Sequence, residues 1–274
     1  MFDCHVHAAP DVLDRIGEDV DVLDHYWKSE FDGFVLKGHY ESTVGRARAL
    51  ARMSGMNVVG GVTLNQAAGG INPASAAAAL IAGGRVVWMP TADAHTQETA
   101  GLPRLCDRED RLERTVFAVP PVEPAAATAA EQVLALIADH DAVLATGHLS
   151  GAECAWLLDR AKYYGIRRVL LTHPSYTVPG LNPAQVRELA DAGGFVEITA
   201  YQLLHQPGCS AEMLAEVARA AGSRLVLSSD AGQPDSPPPP EALGQLIDAL
   251  ARAGVDRRTL AEAASTVPAE LFLN

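Results

Sequence analysis

Short runs of aliphatic and β-branched residues alternate along the chain with amphipathic, alanine-rich segments. Runs such as Val169-Leu170-Leu171 and Leu225-Val226-Leu227 are continuously apolar, as expected for strands buried on both faces of a parallel sheet. Eight such strands in 274 residues predict a single-domain (β/α)8 TIM barrel, with a doubly wound open sheet as the alternative. The predicted strands are Phe2–His7, Gly33–His39, Asn57–Asn65, Arg85–Asp93, Ala142–Ser150, Arg167–Tyr176, Gly194–Tyr201 and Arg224–Asp230.

The segments between these strands carry helix start and stop signals. Asn72-Pro73 and Asn182-Pro183 place a capping side chain before a proline at the first helical position, and Gly165 follows the end of another segment. No Gly-x-Gly-x-x-Gly turn follows the first strand, which weakens a dinucleotide-binding interpretation. The predicted helices are Glu41–Ser54, Pro73–Ala82, Pro124–Asp139, Gly151–Tyr164, Pro183–Ala192, Ala211–Ala221 and Glu241–Ala253.

A long connection, residues 94–123, follows the fourth predicted strand. It contains a charged stretch, Arg104–Arg114, and reaches a Pro120-Pro121 pair. Long loops of this kind either cover an active site or extend into solvent. A lid over the barrel mouth and a plain surface loop are therefore both open interpretations. The sequence contains no clear domain linker, so one domain is predicted over residues 1–274.

The composition argues against several classes of partner. A formal net charge of -13 disfavours non-specific binding to nucleic acid or to an anionic membrane, because both need basic surfaces. The four cysteines have no Cys-x-x-Cys spacing, and no apolar run reaches the roughly 18 residues of a membrane span. We expect a cytoplasmic protein whose partner is a small-molecule substrate, and a homo-oligomer is left open.

Polar side chains gather at the carboxyl ends of the predicted strands, where barrel enzymes carry their active sites. Six of the nine histidines lie at such an end or within two residues of one. His5 and His7 are two residues apart on one strand, so their imidazoles project from the same face and suit a divalent transition metal. The residues concerned are His5, His7, Lys37, His39, Asp93, His95, His148, His173 and Asp230.

The chain resembles the amidohydrolase superfamily of metal-dependent hydrolases, and the resemblance extends over essentially its whole length. The motifs that carry it are Asp3-Cys4-His5-Val6-His7, Thr146-Gly147-His148, Leu171-Thr172-His173-Pro174 and Ser228-Ser229-Asp230-Ala231-Gly232. It is also similar to a bacterial branch of that superfamily in which a Val-Leu-Lys-x-His strand follows the His-x-His motif.

This resemblance implies that His5, His7, His148 and His173 ligate metal, and that Asp230 is both a ligand and the catalytic base. Imidazoles and a carboxylate hold a zinc-like ion while leaving a position open for water, whose pKa the metal lowers toward about 7. Asp230 would take the proton of that water and return it to the leaving group. Zinc is the expected metal, with manganese or iron as alternatives, and one or two ions per chain are compatible with the motifs.

The chain departs from the superfamily at strand four, where two-metal members carry a bridging carbamylated lysine or glutamate. The fourth strand here ends Trp88-Met89-Pro90-Thr91-Ala92-Asp93, without either residue. Lys37 lies instead on strand two, and it is one of only three lysines in the chain. Because a buried lysine can lose its proton, carbamylation of Lys37 as a metal bridge is one hypothesis. A charge partner for a substrate anion and an ion pair with Asp93 are the others.

Five further residues are candidates for binding substrate. Arg15, in the first βα loop, would hold an anionic group or else form a surface ion pair. His39 shares a strand face with Lys37. Asp93 and His95 would support the ligands or lie in a loop, and Tyr201 would line the pocket at the end of strand seven.

The leading hypothesis is a metal-dependent hydrolase that acts on an amide, lactone or ester bond of a small polar substrate. A metal-dependent decarboxylase or lyase on the same barrel is the second hypothesis, and a phosphoesterase is the third. A binding protein without activity is disfavoured because the ligand set is intact. The βα loops set specificity, so the sequence does not name the substrate.

Overall fold

The chain folds as a (β/α)8 barrel in the computed structural model, which describes residues 1–101 and 115–274. Its eight parallel strands neighbour one another in sequence order, which confirms the predicted fold class. The strands are β1 (Phe2–Val6), β2 (Gly33–Leu36), β3 (Asn57–Thr63), β4 (Val86–Trp88), β5 (Val143–Ala145), β6 (Val169–Leu171), β7 (Phe195–Thr199) and β8 (Leu225–Ser228). A parallel bridge between Val6 and Ala231 brings the last strand back to the first.

Helices alternate with the strands and pack against their outer face. The predicted caps are present: the Asn72 side chain accepts a hydrogen bond from the Ala74 N–H, and the Asn182 side chain accepts from Ala184 and Gln185. The helices are α1 (Asp19–Trp27), α2 (Val44–Ser54), α3 (Pro73–Ile81), α4 (His95–Thr99), α5 (Ala127–Asp139), α6 (Gly151–Tyr164), α7 (Pro183–Asp191), α8 (Ala200–His205), α9 (Ala211–Ala221), α10 (Pro239–Arg252), α11 (Arg257–Ala263) and α12 (Thr266–Leu273).

Several helix starts differ from the sequence prediction, and those of α1 and α10 have a clear cause. α1 is not among the helices predicted above, because Glu18 and Asp21 form its capping box in place of the usual Ser, Thr or Asn start signal. α10 begins at Pro239, two residues before the predicted start, because the first turn of a helix needs no proline N–H.

Side chains alternate between the barrel interior and the helix layer. Val35 on β2 and Val226 on β8 belong to the inner cluster, whereas Leu36 and Leu227 pack among the helices. Lys37 and Asp230 continue the inner series at the strand ends, with the same parity as Val35 and Val226. The polar side chains at the mouth therefore stand on top of an apolar floor.

β1 departs from this alternation. Its register on β2 shifts between Asp3 and Val6, as at a β-bulge. Cys4 and His5 are neighbours in sequence, yet both reach Glu197 of β7, at 3.9 Å from Sγ and 3.0 Å from Nδ1 respectively. The irregularity thus re-aims the imidazole of His5 into the barrel.

The connection after β4 is described only in part. Residues 102–114 of the predicted lid, 94–123, lie outside the described residues. On either side of them, Ala94 bridges Phe117 in parallel fashion, and the His95 N–H donates to the Phe117 carbonyl at 3.0 Å. The lid role stays a prediction. Within residues 1–101 and 115–274, no helix is long and apolar enough to cross a membrane.

We predict that Gly147→Ala destabilises the barrel beneath His148. Gly147 has φ +60°, and a Cβ there would lie 2.3 Å from the Met89 carbonyl oxygen. Left-handed strain and the backbone clash together should lower the free energy of unfolding by about 3 kcal/mol or more. Gly165→Ala is the control, because Gly165 has φ +76° but no atom within 4 Å of the place its methyl group would occupy, and it should cost only about 1–2 kcal/mol. Equal losses in urea denaturation would contradict the clash.

Candidate metal centre

Seven of the predicted site residues meet at the carboxyl end of the barrel. His5 and His7 come from β1, Lys37 and His39 follow β2, and all of these side chains are buried. The others follow β5, β6 and β8, and they are His148, His173 and Asp230. Each one enters the same space because parallel strands end at the same edge of a barrel.

The most compact part of the centre is formed by His5, His7 and Asp230. Their ligand atoms all lie within 4.8 Å of one another, so the three residues could hold a metal ion. Oδ1 of Asp230 is 3.0 Å from His5 Nε2 and 3.2 Å from His7 Nε2. Burial alone would raise the pKa of Asp230, but the two histidines hold it well below its usual range. The carboxylate is therefore ionised.

His148 and His173 flank this trio. Their ring centroids are 5.0 Å apart, and the His173 ring is 5.9 Å from that of His5. Burial lowers the pKa of His148 well below its ordinary value and that of His173 to about 4. Both imidazoles are thus neutral, and their buried Nδ1 atoms have no hydrogen-bond partner among the described residues. Neutral imidazoles with unsatisfied nitrogens beside a carboxylate fit a divalent transition metal.

Backbone strain also concentrates here. Asp230 has φ +48° and His173 has φ +24°, in a region that residues other than glycine rarely adopt. The Asp230 N–H donates to the His5 carbonyl at 2.9 Å, and the His173 N–H donates to Glu197 Oε2 at 3.0 Å. These bonds hold two candidate ligands in conformations that cost energy, a pattern typical of functional sites.

Glu197 is a central residue that the sequence analysis missed. It is fully buried on β7, and its Oε1 lies 3.0 Å from His5 Nδ1 and accepts from Ser228 Oγ at 2.8 Å. Burial raises the pKa of Glu197, but His5 more than offsets this and keeps it below the ordinary value. An ionised carboxylate only accepts hydrogen bonds, so His5 Nδ1 carries a proton and donates a hydrogen bond to Glu197. This is the carboxylate–histidine pairing that orients metal ligands.

A signal for Glu197 was present in the sequence. It is the single charged residue of the apolar run Phe195-Val196-Glu197-Ile198-Thr199. Asp3 behaves similarly: it belongs to the motif of the first strand but was assigned no role. Its carboxylate accepts from Tyr26 Oη at 2.7 Å and from the Ser229 N–H at 3.0 Å, and burial raises its pKa to about 6. Asp3 thereby ties β1 to α1 and to the end of β8.

Lys37 lies beside the trio, with Nζ 3.0 Å from His5 Nε2. Burial lowers the pKa of Lys37 to about 8, although the negative charges of Asp230 and Glu197 act to raise it. The proposed partner Asp93 lies in the loop after β4, where its carboxylate accepts from the Gln66 N–H at 2.8 Å. A lysine that loses its proton this readily suits carbamylation, and it also suits a role as a cation toward substrate.

A cavity of about 240 Å³ opens over the centre. Arg15, His39 and Tyr201 line it together with His7, Lys37, His148, His173 and Asp230. The buried Arg15 guanidinium pairs with Asp11 at 2.6 Å, and one of its nitrogens is 3.2 Å from His7 Nδ1. His39 Nδ1 lies 2.8 Å from Thr91 Oγ1, and burial lowers the pKa of this imidazole well below its ordinary value. Three predicted substrate-binding residues therefore share one cavity.

Two predicted substrate-binding residues lie elsewhere. Asp93 is engaged in the loop described above, and its N–H donates to Asn65 Oδ1 at 3.2 Å. His95 starts α4, and its Nε2 lies 2.6 Å from Oε2 of the buried Glu153. Neither is among the described residues that line the cavity. Their position follows from the strand β4 ending at Trp88, which leaves residues 89–93 to the loop.

The chain thus joins a (β/α)8 barrel to a buried group of imidazoles and one carboxylate with the donor set of a metal centre. Residues 1–197 match the family described as "Family of unknown function (DUF6282)", and the chain belongs to this family. The search of curated proteins found no match.

Solved structures share the fold. An organophosphorus hydrolase from Deinococcus radiodurans is 15% identical with a TM-score of 0.62, covering 99% of this chain and 92% of that one. An amidohydrolase from Pseudomonas aeruginosa is 11% identical with a TM-score of 0.61, covering 100% and 97%. A 2,6-dihydroxybenzoate decarboxylase from Rhizobium is 10% identical with a TM-score of 0.56, covering 99% and 98%. These enzymes share the barrel fold that the resemblance to the amidohydrolase superfamily implies.

We predict that Glu197→Gln weakens metal binding about 10- to 100-fold, because the neutral amide no longer orients the His5 imidazole as a charged acceptor does. Competition with a chromogenic chelator for zinc measures this affinity. The control is Glu153→Gln, which also alters a fully buried glutamate paired with an imidazole, here His95. Equal weakening in the two variants, or none in Glu197→Gln, would show that Glu197 does not act on the centre.

Proposed function

We propose that this protein is a metal-dependent hydrolase that cleaves an amide, lactone or ester bond of a small polar substrate. The observation that carries the proposal is the convergence of His5, His7 and Asp230 within 4.8 Å, with His7 and Asp230 lining a cavity. His148 and His173 stand beside them as neutral imidazoles. Five donors of this kind, in a fold shared with hydrolases, support an enzyme more than a passive binding protein.

His5, His7 and Asp230 would hold one divalent ion, most simply zinc, and His148 and His173 would complete its site or hold a second ion. When bound, such an ion supplies Lewis acidity, which polarises a substrate oxygen and makes water acidic enough to react near neutral pH. Glu197 keeps the His5 imidazole oriented for this task, through the 3.0 Å contact at Nδ1.

Asp230 is the proposed proton carrier. Its pKa is held well below the ordinary value, so the carboxylate is unprotonated at neutral pH, as a proton acceptor must be. Oδ1 is shared between the two histidines of β1, whereas Oδ2 lies 4.0 Å from His173 Nε2 and is the less engaged oxygen. We assign proton acceptance from water, and return of that proton to the leaving group, to Oδ2.

Arg15 and Lys37 favour a substrate with a negative group. Both are cations of the cavity wall and both are buried, so their attraction to an anion is little screened by solvent. The Arg15–Asp11 pair fixes the guanidinium in place. His39 and Tyr201 add polar contacts to the same cavity, whose volume of about 240 Å³ suits a small molecule.

A metal-dependent decarboxylase is the second candidate. The placement of Arg15 and Lys37 around one cavity favours it, because two cations beside an ion would hold an acid substrate. In that case Lys37 keeps its ammonium and one ion is expected. A phosphoesterase is the third candidate, and release of inorganic phosphate from generic esters would identify it.

We predict that the purified protein, loaded with zinc or manganese in the presence of bicarbonate, carries at least one ion per chain and that Asp230→Asn carries less. Elemental analysis by plasma emission measures this. Lys37→Ala decides between the candidates, with the exposed Lys162→Ala as its control. Two ions falling to one or none in Lys37→Ala favour hydrolysis through a lysine bridge. One ion that is unchanged favours the decarboxylase, and no ion in any preparation would refute both.

We further predict that Arg15→Gln weakens binding of butanoate to the zinc-loaded protein about 10- to 100-fold, since a charge-assisted hydrogen bond is lost. Isothermal titration calorimetry gives the dissociation constants. Arg160→Gln, on the outer surface of α6, should leave them unchanged. An unchanged affinity in Arg15→Gln would remove Arg15 from the substrate site.

A further inference from the structure

A second cavity of about 310 Å³ lies beside the first, between α7 and α9. Its walls come from the loop after β6 and from α9, and most of the surface that they present is apolar, although Ser175, Thr177, Asn182 and Gln206 also line it. The apolar lining residues are Leu181, Pro183, Met213, Leu214 and Val217. No predicted catalytic or metal-binding residue is among the described residues that line it.

The two cavities share one wall, the half-buried side chain of Tyr176, which lines both. The Tyr176 ring is 5.3 Å from that of His173 on the metal-centre side and 5.9 Å from that of Tyr201. Ser175, next to Tyr176, is held by a 3.0 Å hydrogen bond from Gln202 Nε2. The Tyr176 side chain therefore separates the first cavity, which is lined by charged residues, from the second, mainly apolar cavity, and a hydrogen bond holds its loop in place.

The charges differ sharply on the two sides of Tyr176. The first cavity carries the cations Arg15 and Lys37 together with the carboxylates of Asp14 and Asp230. The described lining of the second has no cation, and its charged residue is Glu216, exposed on α9. A molecule that occupies both would place its anionic end near the metal centre. Its other end would be uncharged and apolar, because a second anionic group would meet the Glu216 carboxylate.

We propose that the second cavity receives an unbranched apolar tail of the substrate, whose anionic head occupies the metal centre. The substrate class is then an amphipathic monoanion, such as a carboxylate that also carries an ester or amide bond and an alkyl chain, and the reacting bond lies on the Tyr201 side of Tyr176. This inference rests on the proposed function, since it needs a head group bound at the first cavity. It is supported by the position of Tyr176 in the walls of both cavities and by the mainly apolar surface of the second.

The test is calorimetric titration of the zinc-loaded protein with straight-chain alkanoates from butanoate to decanoate. Once the chain passes Tyr176, each added methylene should tighten binding about three- to fourfold, as for burial of apolar surface. Met213→Trp adds bulk at the rim of the second cavity and should flatten this series while butanoate binding is kept. Met53→Trp, at a comparably exposed methionine of α2, is the control and should keep the full gain.

Octanedioate gives an independent reading of the same cavity. We expect it to bind at least tenfold more weakly than octanoate, because its second carboxylate would lie against Glu216 in an apolar surrounding. Glu216→Gln should reduce that difference, and Glu216 is exposed, so the variant should fold. Equal binding of the two acids would contradict placement of the tail beside Glu216.

Cys209 provides a readout that needs no turnover. It lines the second cavity and is partly exposed, whereas Cys4 and Cys154 are buried. In a Cys106→Ser background, decanoate should slow alkylation of Cys209 by N-ethylmaleimide, and butanoate should not. Equal protection of Cys209 by decanoate and butanoate would show that the decanoate tail does not occupy the second cavity.

The outcomes separate the two proposals. Butanoate binding with no gain along the series would overturn the tail cavity and leave the proposed function standing. If affinity still rises with chain length to the same extent in Met213→Trp, the tail cavity would also be overturned, since the tail would then lie elsewhere. Absence of binding by every acid would remove the anionic head site and with it the tail cavity, whereas the metal content of the protein tests the proposed function separately.

Discussion

Two backbone hydrogen bonds close the barrel where its candidate chemistry lies. The Asp230 N–H donates to the His5 carbonyl, and the His7 N–H donates to the Ala231 carbonyl, each at 2.9 Å. They join the first strand to the last, and so bring residues from the two ends of the chain into one group. The ligand atoms of His5, His7 and Asp230 lie within 4.8 Å of one another only because of this closure. A chain that left β1 and β8 apart would hold the same residues without a centre.

The electrostatics of the centre depend on the same closure. His7, His39 and His148 stay neutral, because burial lowers their pKa values and a buried charge without a partner is costly. The charges that do persist are paired. Arg15 pairs with Asp11, and Glu197 and Asp230 both contact His5, whose pKa they raise against the effect of burial. A cation would add the positive charge that this group of donors can accommodate. The strained backbone of His173 and Asp230 is consistent with geometry kept for chemistry rather than for stability.

Much of the architecture was readable from the sequence. Apolar runs with helical segments between them predicted all eight strands, and Asn-Pro pairs predicted the starts of α3 and α7. Strand lengths were overestimated, because the residues after each apolar run, such as residues 89–93 after β4, form loops rather than ladder pairs. Asp93 and His95 were counted as site candidates for that reason. Glu197 was passed over because a single glutamate in a strand has no motif, and its meaning comes from His5 on a strand distant in sequence.

By itself, the sequence determined the barrel, the end of the barrel that carries polar chemistry, and the residues at strand ends that meet there. Periodicity and local caps suffice for this, since parallel strands of a barrel share one carboxyl edge. Only the tertiary structure decided that the bulge in β1 turns His5 toward Glu197, that Lys37 lies 3.0 Å from His5, and that Tyr176 separates two cavities. Those outcomes depend on distances between strands and loops remote in the chain, which no local pattern of residues contains.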